Sequence, residues 1–170
     1  VMISDFLTSP RRVDVGDAPE MDALTEAGAL EEAALFDIRI NTVDASAWLL
    51  FDLKGALEVR AGNTAIVVIK SLQHLEWTCP SPVPPSWWTV WGWKPTTSEG
   101  LVAIEFVLDG GGMFRAKGSA AEFYVGDVPG GDEAPPDFAS ATDEDIRQGL
   151  AQWSSHFTPI RASFLNLAAG

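Results

Sequence analysis

The sequence predicts a single α+β domain: a mainly antiparallel β-sheet of about six to seven strands, with a short N-terminal helix and a C-terminal helix. Three observations lead there. Residues 36–126 hold a succession of short segments, either alternating apolar with polar or apolar throughout, separated by turn residues. Residues 19–36 and 142–153 instead carry the Ala, Leu and acidic composition of helices. The regular strand–helix alternation of a parallel nucleotide-binding sheet is missing.

Taken in order, residues 1–18 contain Pro10 and Gly16 and little periodicity, so they read as an extended lead-in to a domain spanning 19–170. The N-terminus has no basic region followed by an apolar one, which argues against a secretory signal. In PEMDALTEAGALEEAALF (19–36), Pro19 suits a first helical turn, and Glu20 and Asp22 complement the positive end of the helix dipole. Met21, Leu24 and Gly28 share a stripe that Gly28 weakens.

FDIRIN (36–41) alternates, with Phe36, Ile38 and Ile40 on one face. SAWLLFDLKG (46–55) and ALEVRAG (56–62) follow as strands, and Gly62-Asn63 reads as a hairpin turn into TAIVVIKS (64–71). That last segment is apolar on both faces and belongs in the middle of the sheet. LQHLEWTC (72–79) either extends it or turns into the next strand. LVAIEFVLD (101–109), MFRAKG (113–118) and SAAEFYVG (119–126) complete the central set, the first two joined by the Asp109-Gly110 turn. DVPGGDEAPPDFAS (127–140) is a loop by composition. TDEDIRQGLAQW (142–153) has a capping Thr142, acids in its first turn and the stripe Ile146, Leu150, Trp153. RASFLNL (161–167) reads as a closing edge strand.

Charge narrows the function. The formal net charge is −13. Residues 1–45 contribute −7, residues 46–125 only −1, and residues 126–170 contribute −5. Acidic flanks around a nearly neutral centre repel phosphates and anionic lipid, which points away from nucleic acid and membranes and toward a basic partner. No apolar run approaches the ~20 residues that cross a bilayer. Cys79 is the sole cysteine, so no intrachain disulfide forms, and a reducing cytoplasm is the expected compartment.

No motif of a nucleophile elbow, P-loop, dinucleotide fold or zincin occurs, and there are two histidines, so no catalytic residue, cofactor or metal site is assigned. His74 and Glu76 share a strand face near Cys79, but a zinc site there needs further ligands. The Gly110–Gly112 run joins two strands and precedes no helix, so it is a turn and not a phosphate cradle.

The aromatic feature is SWWTVWGWKP (86–95), led in by prolines. As an extended segment it places Trp87, Thr89, Trp91 and Trp93 on one face and Trp88, Val90, Gly92 and Lys94 on the other. The three-indole face reads most simply as core, with Trp88 turned outward beside Lys94. Two functional readings follow. The first is a non-catalytic acidic binding protein, in concrete form a bacterial immunity-type protein, engaging a basic partner through Trp88, Asp132, Glu133, Asp137, Asp143 and Glu144. The alternative is a small-molecule or sugar-binding module, or small enzyme, built on Trp87, Trp91 and Trp93 with His74 and Glu76. An assembly subunit pairing through the edge at 161–167 stands behind both.

Overall fold

A computed structural model describes residues 1–5, 17–79, 88–131, 142, 144 and 150–167. Nine strands account for its regular structure: β1 (Ala34–Asn41), β2 (Ser46–Asp52), β3 (Thr64–Lys70), β4 (His74–Thr78), β5 (Val90–Ser98), β6 (Leu101–Leu108), β7 (Met113–Gly118), β8 (Ala120–Asp127) and β9 (Thr158–Asn166). They form two antiparallel sheets, of order β1-β2-β3-β8-β9 and β4-β7-β6-β5.

The inner faces of the two sheets meet in one core. Leu49 and Phe51, Val67 and Ile69, and Phe123 and Val125 come from the first sheet, and Ile104, Phe106, Phe114 and Trp93 from the second. The first sheet is buried on its other face too. Trp48, Leu50, Ile66, Val68 and Tyr124 lie there beneath Ile3, Val128, Trp153 and Phe157. That is why β2 and β3 are apolar at nearly every position, and β3 is indeed the central strand.

The sheets are joined at two corners. Ser119 N–H donates to Lys70 O (3.1 Å) and Gln73 N–H to Lys117 O (2.8 Å), so β3–β4 and β7–β8 run as one bent ribbon from sheet to sheet. Gly118 permits the bend, since a Cβ there would sit 2.3 Å from Lys70 O. At the second corner Leu35 N–H donates to Trp88 O (3.0 Å) and Val90 N–H to Ala33 O (2.8 Å), joining the start of β1 to the start of β5.

The α+β expectation is overturned: the described residues form an all-β architecture with no helical element. Residues 19–33 fold as successive turns, although Asp22 O accepts both Thr25 N–H and Glu26 N–H as a helix start would. Two left-handed residues, Gly28 (φ 80°) and Glu32 (φ 62°), end any helical path. In place of helical bonds the segment bonds to β5: Gly28 N–H to Trp93 O, Glu32 N–H to Val90 O, and the Trp93 indole N–H to Ala23 O. Ala23, Leu24, Ala29, Leu30 and Ala33 are consequently buried in the core between the sheets. Of the C-terminal helix, residues 143 and 145–149 lie outside the described residues, and 150–153 are irregular with Trp153 buried.

Residues 56–62 are not a strand either, and β3 pairs directly with β2. Asn63 is no hairpin residue. It is buried, its amide donates to Val128 O (3.1 Å) and its Oδ1 accepts Val128 N–H (2.9 Å), pinning the 53–63 connection to the end of β8. Residues 72–79 turn away into the second sheet as β4, and β9 is an edge strand as its sequence suggests. No helix among the described residues is long and apolar enough to cross a membrane.

Candidate functional site

An apolar groove of about 370 Å³ opens where the two sheets gape, between β1 and β4. Ile38 and Ile40 reach it from β1, Leu75 and Trp77 from β4, and Trp88 and Leu108 close one end. The pleat explains these positions. Ile38 and Ile40 are opposite Leu49 and Ala47, and Leu75 and Trp77 are opposite Ala116 and Phe114, so all four follow the inward rows of their sheets. At the outer strands of the sandwich those rows run out of partners. Ile40 stays 53% exposed and Trp77 41%, unusual for large apolar side chains on inward rows.

One carboxylate borders the groove. β1 carries a bulge at Phe36, after which Asp37 and Arg39 turn to the far side of the first sheet. There Asp37 accepts the Trp153 indole N–H, and the Arg39 guanidinium lies 5.1 Å from the centre of the same ring.

The tryptophan segment departs from the period-two reading. Register slips by one residue between Trp91 and Lys94, so Gly92 and Trp93 together oppose Phe106. Gly92 has φ 62°, the left-handed first residue of a bulge. The slip inverts the phase: Val90 and Trp93 both point into the core, and Trp91 points out with 40% of its surface exposed. Trp93 stacks on Phe106 at 5.3 Å and meets Phe51 edge-on at 5.8 Å. No three-indole face exists. Trp88, expected to be the outward ring, is half-buried at the groove end, and among the described residues of the segment Trp91 instead points to the outer surface.

Of the remaining sequence candidates, His74 and Glu76 lie on the outer face of the second sheet, with Nε2 and Oε2 3.8 Å apart. Cys79 is exposed just beyond β4. Among the described residues no three His, Cys, Asp or Glu side chains gather as a metal site would need. Glu144 is exposed, and Trp87, Asp132, Glu133, Asp137 and Asp143 lie outside the described residues. Of the ligand-binding set, Trp93 lies in the core while Trp91, His74 and Glu76 lie on the outer face of the second sheet, so these four do not share one face. Sequence reasoning missed the groove. The signal available was that FDIRIN and HLEWT alternate apolar with polar residues, as strands with one covered face do.

No family model, no curated protein and no solved structure matches this chain.

Proposed function

We propose that the protein is a non-catalytic binding protein whose partner is a basic protein, engaged through an amphipathic, positively charged segment. The apolar side chains of that segment fill the groove between β1 and β4, and its cations meet the acidic surface of the chain. The observation that carries this reading is the groove itself, an apolar cleft with Ile40 and Trp77 left substantially exposed. A net charge of −13 supplies the electrostatic half, favouring cationic partners and raising their association rate. An immunity-type protein that covers a cationic toxin is the most concrete form of such a role.

Two peptides of one apolar pattern, Lys/Leu and Glu/Leu, test the reading by titration followed in tryptophan fluorescence. The Lys/Leu peptide is expected to bind, with affinity falling about tenfold or more as salt rises from about 50 to about 500 mM. Trp77→Ala is expected to weaken it by about tenfold, the scale of one lost aromatic anchor. Equal binding of the Glu/Leu peptide, or indifference to Trp77→Ala, overturns the proposal.

The two indoles at the groove, Trp77 and Trp88, favour a second reading, a small apolar or ring-bearing ligand. It is distinguished by binding of a neutral dye whose affinity is flat in salt and lost in Trp77→Ala.

A further inference from the structure

The outer face of the second sheet carries an ordered pattern of charge. Cross-strand register places four side chains in one row across all four strands: Glu76 on β4, Arg115 on β7, Glu105 on β6 and Lys94 on β5. Their charges alternate, negative, positive, negative, positive. Arg115 Nε lies 2.9 Å from Glu105 Oε1, so the two central members are already paired. On one side of this row runs an apolar one, Thr78, Met113, Val107 and Trp91, in which Trp91 is 40% and Val107 46% exposed. On the other side run His74, Lys117, Ala103 and Thr96. Three cations and two carboxylates from these strands share the face, in a chain whose net charge is −13.

We infer that this face binds a second copy of the chain, the two sheets stacking about a two-fold axis parallel to the strands. Such an axis reverses the order of strands while keeping each row opposite itself. Glu76 then faces Lys94 of the second copy and Arg115 faces Glu105 of the second copy, and the reciprocal pairs follow by symmetry. The apolar row meets its own reverse, with Val107 against Met113 of the second copy and Trp91 against Thr78 of the second copy. A two-fold along the row does the opposite: it sets Glu76 on Glu76 and Arg115 on Arg115, placing like charges in contact. The order of charges therefore selects one face-to-face arrangement and rejects the other. Aligned sheets stack about 10 Å apart with roughly a 30° rotation, which keeps the central Arg115–Glu105 pairs in register. Lys94 has the reach of its four-carbon stem to follow at the periphery.

The dimer is a weak one. Strand spacing and rise give the face on the order of 400 Å² of flat area, below the ~800 Å² per partner of a stable complex. Enclosed ion pairs also cost desolvation that their attraction only partly offsets. The acidic flanks of the two copies repel each other at long range as well. Specificity comes from the charge row and affinity from the Trp91–Val107–Met113 strip.

Sedimentation velocity of the full chain across about 5 to 500 µM tests this, with an expected dissociation constant of about 10–100 µM. Lys94→Glu sets Glu76 against a new carboxylate at both ends of the row and is expected to weaken the dimer at least tenfold. Adding Glu76→Lys to that variant reverses both ends together, restores complementarity, and is expected to return the affinity to within about threefold of the original. A monomeric protein at about 500 µM overturns the inference, as does a dimer that both variants leave unchanged or that the double variant fails to recover.

Discussion

Trp93 and Gly92 show how much one residue of register decides. Trp93 is 1% exposed, packed on Phe106 and Phe51, and its indole N–H donates to Ala23 O at 2.9 Å. Trp93→Ala is therefore expected to cost about 3–5 kcal/mol in a urea melt, through a core cavity and loss of the anchor for residues 19–33. Gly92 reaches that arrangement only through φ 62°, with open space where a Cβ would lie. Gly92→Ala thus pays for the left-handed backbone alone, about 1–2 kcal/mol. Gly118 is the converse, its Cβ position 2.3 Å from Lys70 O and 2.8 Å from Ile69 Cγ2. Those are a backbone atom and a core methyl, neither able to yield easily, so Gly118→Ala is expected to destabilise more than Gly92→Ala. The reverse order would show that the corner between the sheets relaxes and the β5 bulge does not. Period-two counting along SWWTVWGWKP could not anticipate the bulge. A glycine flanked by tryptophans carries the warning, but only the pairing with β6 shows that the phase inverts there.

Among elements, most strands were legible, while the expected strand at 56–62 and the expected helix at 19–36 do not form. β1, β2, β3, β6, β7, β8 and the edge strand β9 fall close to where alternation or apolar runs place them, because side-chain period reports directly on which faces are covered. The segment 19–33 misled because composition records helix propensity, a weak preference that long-range bonds to β5 override. Asn63 misled in the same way: Gly62-Asn63 has the chemistry of a tight turn, yet its amide serves a contact with Val128 far along the chain. The groove was illegible for a different reason. Which strands are outermost is a property of sheet order, and residue patterns do not encode it. One turn does leave room for improvement. Ser98 and Leu101 pair across the β5–β6 hairpin, and its two turn residues, Glu99 and Gly100, have φ 53° and 74°. Positive φ at both positions is the type I′ geometry, which favours Asn-Gly. Glu99 is exposed, and Glu99→Asn is expected to stabilise the protein by about 0.5–1 kcal/mol, read as a higher urea midpoint at constant slope.

At the scale of the whole molecule, the charge map of the sequence acquires a spatial meaning. Its acidic flanks, residues 1–45 and 126–170, are distant in the chain but adjacent in the fold. Met2 bridges His156, Ile3 N–H donates to Ser155 O, Asp17 bridges Arg161, and the Ser163 hydroxyl donates to Asp22 Oδ1 at 2.6 Å. The nearly neutral centre supplies the second sheet and its alternating charge row. A net charge of −13 repels itself more in the compact chain than in the unfolded one, and described parts of the two acidic flanks meet in the fold. Screening should relieve that repulsion more than it weakens the few described ion pairs, Lys70–Glu122 and Arg115–Glu105 among them, since partly exposed pairs contribute only about 0–1 kcal/mol each. Raising sodium chloride from about 0.02 to about 0.2 M shrinks the Debye length from roughly 20 Å to roughly 7 Å. The melting temperature is expected to rise by about 3–6 °C, corresponding to about 1–2 kcal/mol for a chain of this size. Measurement at low micromolar protein keeps dimerisation from contributing, and sodium sulfate at equal ionic strength controls for screening against ion-specific effects. A melting temperature that falls with salt would mean that attractive pairs outweigh the repulsion. The acidic surface would then be an internally balanced structure and not a reservoir of unpaired charge waiting for a cationic partner.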